Sequence, residues 1–332
     1  MKTMDLIQML KKIFISLVFL VNIVYAKDIK PAFVYKASGG VTSIVYNSGK
    51  LYVSTQAGAV NIFDLKQKKL IKSIKLPKIK DFMGDDIEAK IYNTDVSDDD
   101  ILFVAQHESG FRELYIYKHN KLKKLLSADD HIYISKAMFI DKDNILFCSL
   151  ANEMFLYNIV DKKIKWKIDV KAPDAEFNST FADFALNEDK SLAVVADESG
   201  DLKLVDIKKA KVIKILAGQN LDKVFKVDFK NNKIITAGQD RRCVVYNLSN
   251  NNHYYFETQF LIYGAGLSKS GKFGAYSSDE NNNVTVFNTN TKQKLYKLTN
   301  NLMTLTSICF INDKEVFIGT DSNKFNYYKL GE

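Results

Sequence analysis

The sequence predicts an all-β chain folded as a seven-bladed β-propeller, and three observations predict it. A short apolar strand ending in Asp, Asn or Lys recurs seven times. The copies end at Asp64, Lys118, Asn158, Asp206, Asn247, Asn288 and Lys329, at spacings of 54, 40, 48, 41, 41 and 41 residues. A repeat of roughly 40–45 residues is that of a four-stranded propeller blade. No window after Ala26 shows the competing 3.6-residue apolar period of a helix. Finally, the chain stops at the third strand of its seventh repeat, and a spare strand, Ala32-Phe33-Val34-Tyr35-Lys36, stands at the other end. Paired into the last blade, it closes the ring and removes two exposed edges.

The strands of a repeat follow one order. In the fifth, a first strand, Val224–Phe229, precedes the polar turn Lys230-Asn231-Asn232-Lys233. A second strand, Ile234–Ala237, leads through a Gly/Asp turn into the third, Cys243–Asn247. A fourth, less apolar strand completes each unit, as in Lys69–Leu76 or Lys292–Leu298. These runs are β-branched and aromatic and are punctuated by turn residues, which is strand chemistry. Two spacings are long because of insertions, Pro77–Lys90 and Lys171–Thr180, each joining a fourth strand to the next first strand.

The first residues stand apart from this pattern. Lys2, Lys11 and Lys12 precede an apolar run from Ile13 to Val24, and Val24-Tyr25-Ala26 fits a signal-peptidase site. Residues 1–26 are therefore expected to be a secretory signal, starting at Met1 or Met9, and residues 27–332 a single propeller domain. The run is too short to span the roughly 30 Å hydrocarbon core of a bilayer. A periplasmic location follows as an expectation, as does a monomeric state.

Tyr246-Asn247 stands where the repeat segment Ile235–Asn247 would carry Trp-Asp, and Asp240 stands at the turn before it. The segment resembles the core of a WD40 repeat, with Asp197, Asp279 and Asp321 in similar places in other repeats. The only Trp, Trp166, lies outside the dipeptide position, and no Gly-His pair occurs. Signal, seven degenerate repeats and Lys/Asn-rich composition together resemble the NapL family, accessory proteins of the periplasmic nitrate reductase. That resemblance implies a non-catalytic, cofactor-free propeller that binds another periplasmic protein, the reductase catalytic subunit foremost.

Composition narrows the alternatives. The formal charge is +8, and loss of residues 1–26 lowers it to about +6. Almost all of the basic residues are Lys, whereas bidentate phosphate and base-edge recognition favours Arg. Nucleic acid is therefore not an expected partner. Cys148, Cys243 and Cys309 have no paired spacing and lie in apolar runs, where free thiols pack as small hydrophobes. His107, His119, His131 and His253 show no metal spacing. Gly266–Phe273 approaches a phosphate loop, but Phe273 stands where Ser or Thr is required. The acidic residues of the first insertion, Asp81, Asp85, Asp86 and Glu88, are expected in a solvated loop.

Two kinds of site remain. The long connectors and all three Arg (Arg112, Arg241 and Arg242) are expected on one face of the ring, where loops on a rigid scaffold bind partners. The alternative is that Arg241-Arg242 only completes a turn. Asn178-Ser179-Thr180, preceded by Glu176, is an acceptor sequon for N-glycosylation. Two other functions stay open: a propeller enzyme with a metal or quinone on its axis, and an outer-membrane assembly scaffold.

Overall fold

The structure, a computed structural model, describes residues 26–172 and 175–331. The predicted export signal lies outside them except for Ala26. Among the described residues, no helix is long and apolar enough to cross a membrane.

Seven sheets, each with a four-stranded antiparallel meander, are the blades of a propeller. Blade one is built from Val41–Asn47, Lys50–Thr55, Ala59–Asp64 and Lys69–Lys75, paired in sequence order. Blades two to five repeat this order, starting at Ile91, Ile134, Phe181 and Val224. Blade six starts at Ala265, and blade seven consists of Leu305–Asn312, Glu315–Thr320 and Lys324–Lys329 with Phe33–Lys36 as its fourth strand. The strand predicted to close the ring therefore does so, with Phe33 opposite Tyr327 and Lys36 opposite Lys324. One strand went unforeseen: Lys27–Ile29 pairs parallel to Lys294–Leu298 and gives blade six a fifth strand.

Local chemistry explains the meander. The middle strands of each blade are buried on both faces, so they read as continuous apolar runs rather than alternating ones, as in Leu51–Val53 and Val194–Ala196. Tight turns join them. Asn231 and Asn232 take left-handed φ of 48° and 57°, the geometry of a two-residue hairpin that Asn tolerates. Ser48-Gly49 makes the same turn in blade one, with φ of 49° and 80°.

The core is seven wedges, one between each pair of neighbouring blades. Leu102, Val104 and Leu114 of blade two, for example, pack against Phe139, Phe147 and Phe155 of blade three. The closing wedge joins blades seven and one. There the Tyr35 ring stacks on Phe325 at 5.1 Å and meets Phe63 edge-on at 5.5 Å.

Nearest the axis, the seven first strands adjoin one another in a closed circle. They are tied by side chains that accept a backbone N–H from the next blade. Ser43 accepts from Thr94 at 3.2 Å, Asp95 from Phe139 at 2.7 Å and Asp228 from Leu267 at 2.9 Å. Ser307 accepts from Ile44 at 3.3 Å. Asp183 joins three blades: one oxygen takes the Lys136 ammonium of blade three at 2.7 Å, the other the Val227 N–H of blade five at 3.1 Å. Between blades six and seven, absence of a side chain permits the approach. A Cβ on Gly266 would lie 3.0 Å from the Ile308 carbonyl oxygen. Burial pushes the Asp95 carboxyl above its usual range, against the Phe139 N–H that draws it down.

Replacing Asp183 with Ala leaves the Val227 N–H without its acceptor and the largely buried Lys136 ammonium with the Phe184 carbonyl but no carboxylate. The expected loss is about 3 kcal/mol in urea unfolding. A loss below about 0.5 kcal/mol would remove Asp183 from the ring contacts that matter.

Candidate protein-binding face

Two sets of loops emerge together, as their hydrogen bonds show. Leu76 N–H, leaving a fourth strand, donates to Gly58 O of a second-to-third-strand turn at 2.9 Å. Thr258 N–H donates to Arg241 O at 3.0 Å, Phe181 N–H to Leu150 O at 3.0 Å and Asp321 N–H to Thr304 O at 3.0 Å. The connectors between blades and the turns between second and third strands therefore share one face, as expected.

The three Arg reach that face but not one another. Arg112 lies at the junction of blades two and three. Its guanidinium centre is 3.7 Å from the Tyr92 ring centroid and 5.0 Å from that of Tyr133. It also donates to Ile134 O and Ser135 O, both at 3.4 Å. Arg242, three blades away, donates to Gln219 O at 3.0 Å and covers the Tyr255 ring at 4.5 Å. Both are struts between loops. Arg241 completes its turn at φ 66°, its N–H on Gly238 O at 3.2 Å, and its side chain is exposed.

Two of the turn Asp residues, Asp240 and Asp197, anchor hydrogen-bond networks. Asp240 accepts the Leu221 N–H at 2.7 Å and the Asn220 amide at 3.2 Å, and Asn220 in turn accepts the Thr236 hydroxyl at 2.9 Å. Asp197 takes the Lys203 ammonium at 2.6 Å and the Asn152 amide at 2.8 Å, all three side chains being buried. The Asp240 network pins the connector between blades four and five to blade five, and the Asp197 network joins the turns of blades three and four.

What the connectors carry was missed in the sequence. Phe82 is 94% exposed and Phe177 is 77% exposed, and Met83, Leu221, Leu302 and Met303 are exposed with them. Phe260 adds a fifth connector between blades with a bare apolar side chain. Beside four of these tips a polar neighbour holds the backbone. Asp81 accepts the N–H of Met83 and of Asp85, each at 2.9 Å. Asn178 donates to Ala151 O at 3.0 Å, Asn220 is held as above, and Asn301 accepts from Asn326 at 3.0 Å. The signal was available: single large apolar residues inside otherwise polar connectors, as in Asp81-Phe82-Met83-Gly84-Asp85.

The first insertion is more ordered than the solvated loop expected. It forms a hairpin of Lys78–Lys80 and Asp86–Glu88. Three of its four acids have partners: Asp86 on Lys80 at 2.7 Å, Glu88 on Lys75 of the preceding strand, Asp81 on the tip. Asn178 lies in the second insertion, its amide nitrogen turned toward Ala151 O. A glycan on that nitrogen would have to displace or share this bond.

Other chemical candidates resolve into structure. His107 Nδ1 lies 2.8 Å from Ser109 Oγ, and its Nε2 is 4.0 Å from Glu113. The carboxylate is occupied by Lys124 at 2.6 Å and by the Tyr115 hydroxyl. Burial pushes the Glu113 carboxyl up, but these two partners outweigh it and hold it below the usual carboxylate range. Cys148 and Cys243 are buried and free, and Cys309 is half-buried and free, its thiol pushed up to about 12 by burial. Gly266–Phe273 forms a hairpin, Gly271 N–H on Ser268 O at 2.8 Å, with strand rather than helix after it. It borders an open pocket of about 860 Å³ between blades six and seven, on the opposite face.

The arrangement is that of an interaction scaffold. Compared with known proteins, the chain matches no family profile and no curated sequence.

Arg241→Ala and Arg242→Ala separate strut from surface. Arg242→Ala is expected to cost about 1–1.5 kcal/mol in urea unfolding, because a charge-assisted bond is lost. Arg241→Ala should stay within about 0.5 kcal/mol of the parent. Equal costs would contradict the contacts described.

Proposed function

We propose that this chain is a non-catalytic scaffold that captures another protein on its connector face. The observation that carries the reading is the set of exposed apolar tips at five of the connectors between blades. Such side chains lose free energy to water and regain it only against a partner. Anchored backbones lower the ordering cost of capture. Arg241 adds an exposed cation to the same face.

The partner and the compartment rest on the sequence. The export pattern of residues 1–26 supports a periplasmic site of action. The resemblance to the NapL family supports the catalytic subunit of the periplasmic nitrate reductase as the protein captured. The scaffold would then stabilise or deliver that subunit, with no cofactor of its own.

Affinity purification from the periplasm, with identification of co-purifying chains by mass spectrometry, tests this reading. The reductase catalytic subunit is expected with the parent chain. Phe82→Ser combined with Phe177→Ser should weaken its capture roughly tenfold or more, as removal of hot-spot side chains does. The melting temperature should stay unchanged, because neither side chain packs in the core. Recovery of envelope-assembly proteins instead would move the partner to the outer membrane. Undiminished capture by the double variant would remove this face from consideration.

A further inference from the structure

Among the described residues, every blade but the sixth ends in a fourth strand whose far edge has no neighbour in its own sheet, and such an edge is a template for another strand. Lysine is the usual protection, and six blades use it. The outer strands of blades one, two, three, four, six and seven all carry lysine, and that of blade six is also covered by Lys27–Ile29. Blade five is the exception. Its outer strand reads Asn252-His253-Tyr254-Tyr255-Phe256-Glu257, with no lysine and three aromatic rings in succession.

The register shows which groups that edge offers. Thr258 N–H bonds to Arg241 O, in a ladder that pairs Tyr255 with Val244. Bonding pairs alternate along an antiparallel ladder. Asn252, Tyr254 and Phe256 therefore direct their N–H and C=O groups toward Arg242–Asn247. His253, Tyr255 and Glu257 direct theirs outward. The side chains divide in the same way. Tyr254 and Phe256 face blade six, the Tyr254 hydroxyl on Thr289 O at 2.7 Å and the Phe256 ring 4.6 Å from Phe287. Those of His253, Tyr255 and Glu257 are exposed.

We propose that this edge docks a second copy of the chain, the two Asn252–Glu257 strands pairing antiparallel about a two-fold axis at Tyr255. Only outward residues can form hydrogen-bonded pairs across the new seam. Centring on Tyr255 pairs Tyr255 with its own copy and His253 with Glu257 of the other chain, twice. An imidazole then faces a carboxylate at each end of the seam on one side of the sheet, a donor opposite an acceptor, and the two tyrosines meet between them. Centring on Glu257 would oppose two carboxylates, and centring on His253 would leave Glu257 without a partner. His253 meets Glu257 in that register alone, since an axis at Tyr254 or Phe256 would set Tyr255 opposite His253 or Glu257 instead, and the pairing is symmetric, as a two-fold interface requires. This interface lies on the rim and is independent of the connector face. It departs from the monomer expected from the sequence.

Sedimentation of the purified protein over a micromolar concentration series tests the proposal. A dimer is expected for the parent chain. Tyr255→Lys, which restores the protection of the other blades, should give a monomer that still unfolds in one cooperative step, its melting temperature lowered only by loss of the ring beneath Arg242. His253→Glu should weaken association roughly tenfold by opposing two carboxylates, and adding Glu257→His should restore it. A parent chain that stays monomeric, a dimer indifferent to Tyr255→Lys, or a double exchange that fails to recover association each overturns the proposal. A different protein held at this edge, and lost with Tyr255→Lys, would overturn the second copy as its occupant.

Discussion

In seven separate sheets the first strands lie side by side without forming a common ladder, so each leaves backbone N–H groups facing its neighbour. Side chains take up those groups, and the ring depends on them. Asp183 is the most connected, joining blades three, four and five through one carboxylate. Ser43, Asp95, Asp228 and Ser307 do the same with neutral or charged oxygens. Wedge packing is non-directional and would tolerate small rotations of a blade. A carboxylate on a particular N–H does not, so the polar contacts set the angle that the apolar wedges then fill.

The same device recurs farther out, where it serves the surface. Asp81, Asn178, Asn220 and Asn301 spend their side chains on backbone or on other amides, and each stands next to a bare apolar residue. Polar groups are satisfied inward while apolar groups are left outward, the reverse of the usual division. Rigid presentation of an apolar tip suits a face that must hold its shape without the partner.

Much of this was legible in the sequence, and the limits have physical reasons. The spacing of seven third strands marks the blades, and Ala32–Lys36 shows how the ring closes, because the burial of middle strands writes a strong apolar period. Lys27–Ile29 carries no comparable signal: it is short, half polar and paired on one side only. The Arg residues were expected on the face that carries the connectors, and they do reach it. Arg112 and Arg242 are nevertheless held by Tyr92, Tyr133, Gln219 and Tyr255, which the sequence places far from them in number. The apolar tips were overlooked because one Phe in a polar connector looks like noise until its exposure is known.

Phe33 pairs with Tyr327 across almost the whole length of the chain. The last blade is therefore unfinished until the final residues are available, however early the other six form. A chain made from its N-terminus must keep Phe33–Lys36 unpaired until Lys324–Lys329 have been made. Closure joins the earliest and latest parts of the domain in one step of very high contact order, so it should be the slowest event in folding and the first to be lost by truncation at either end.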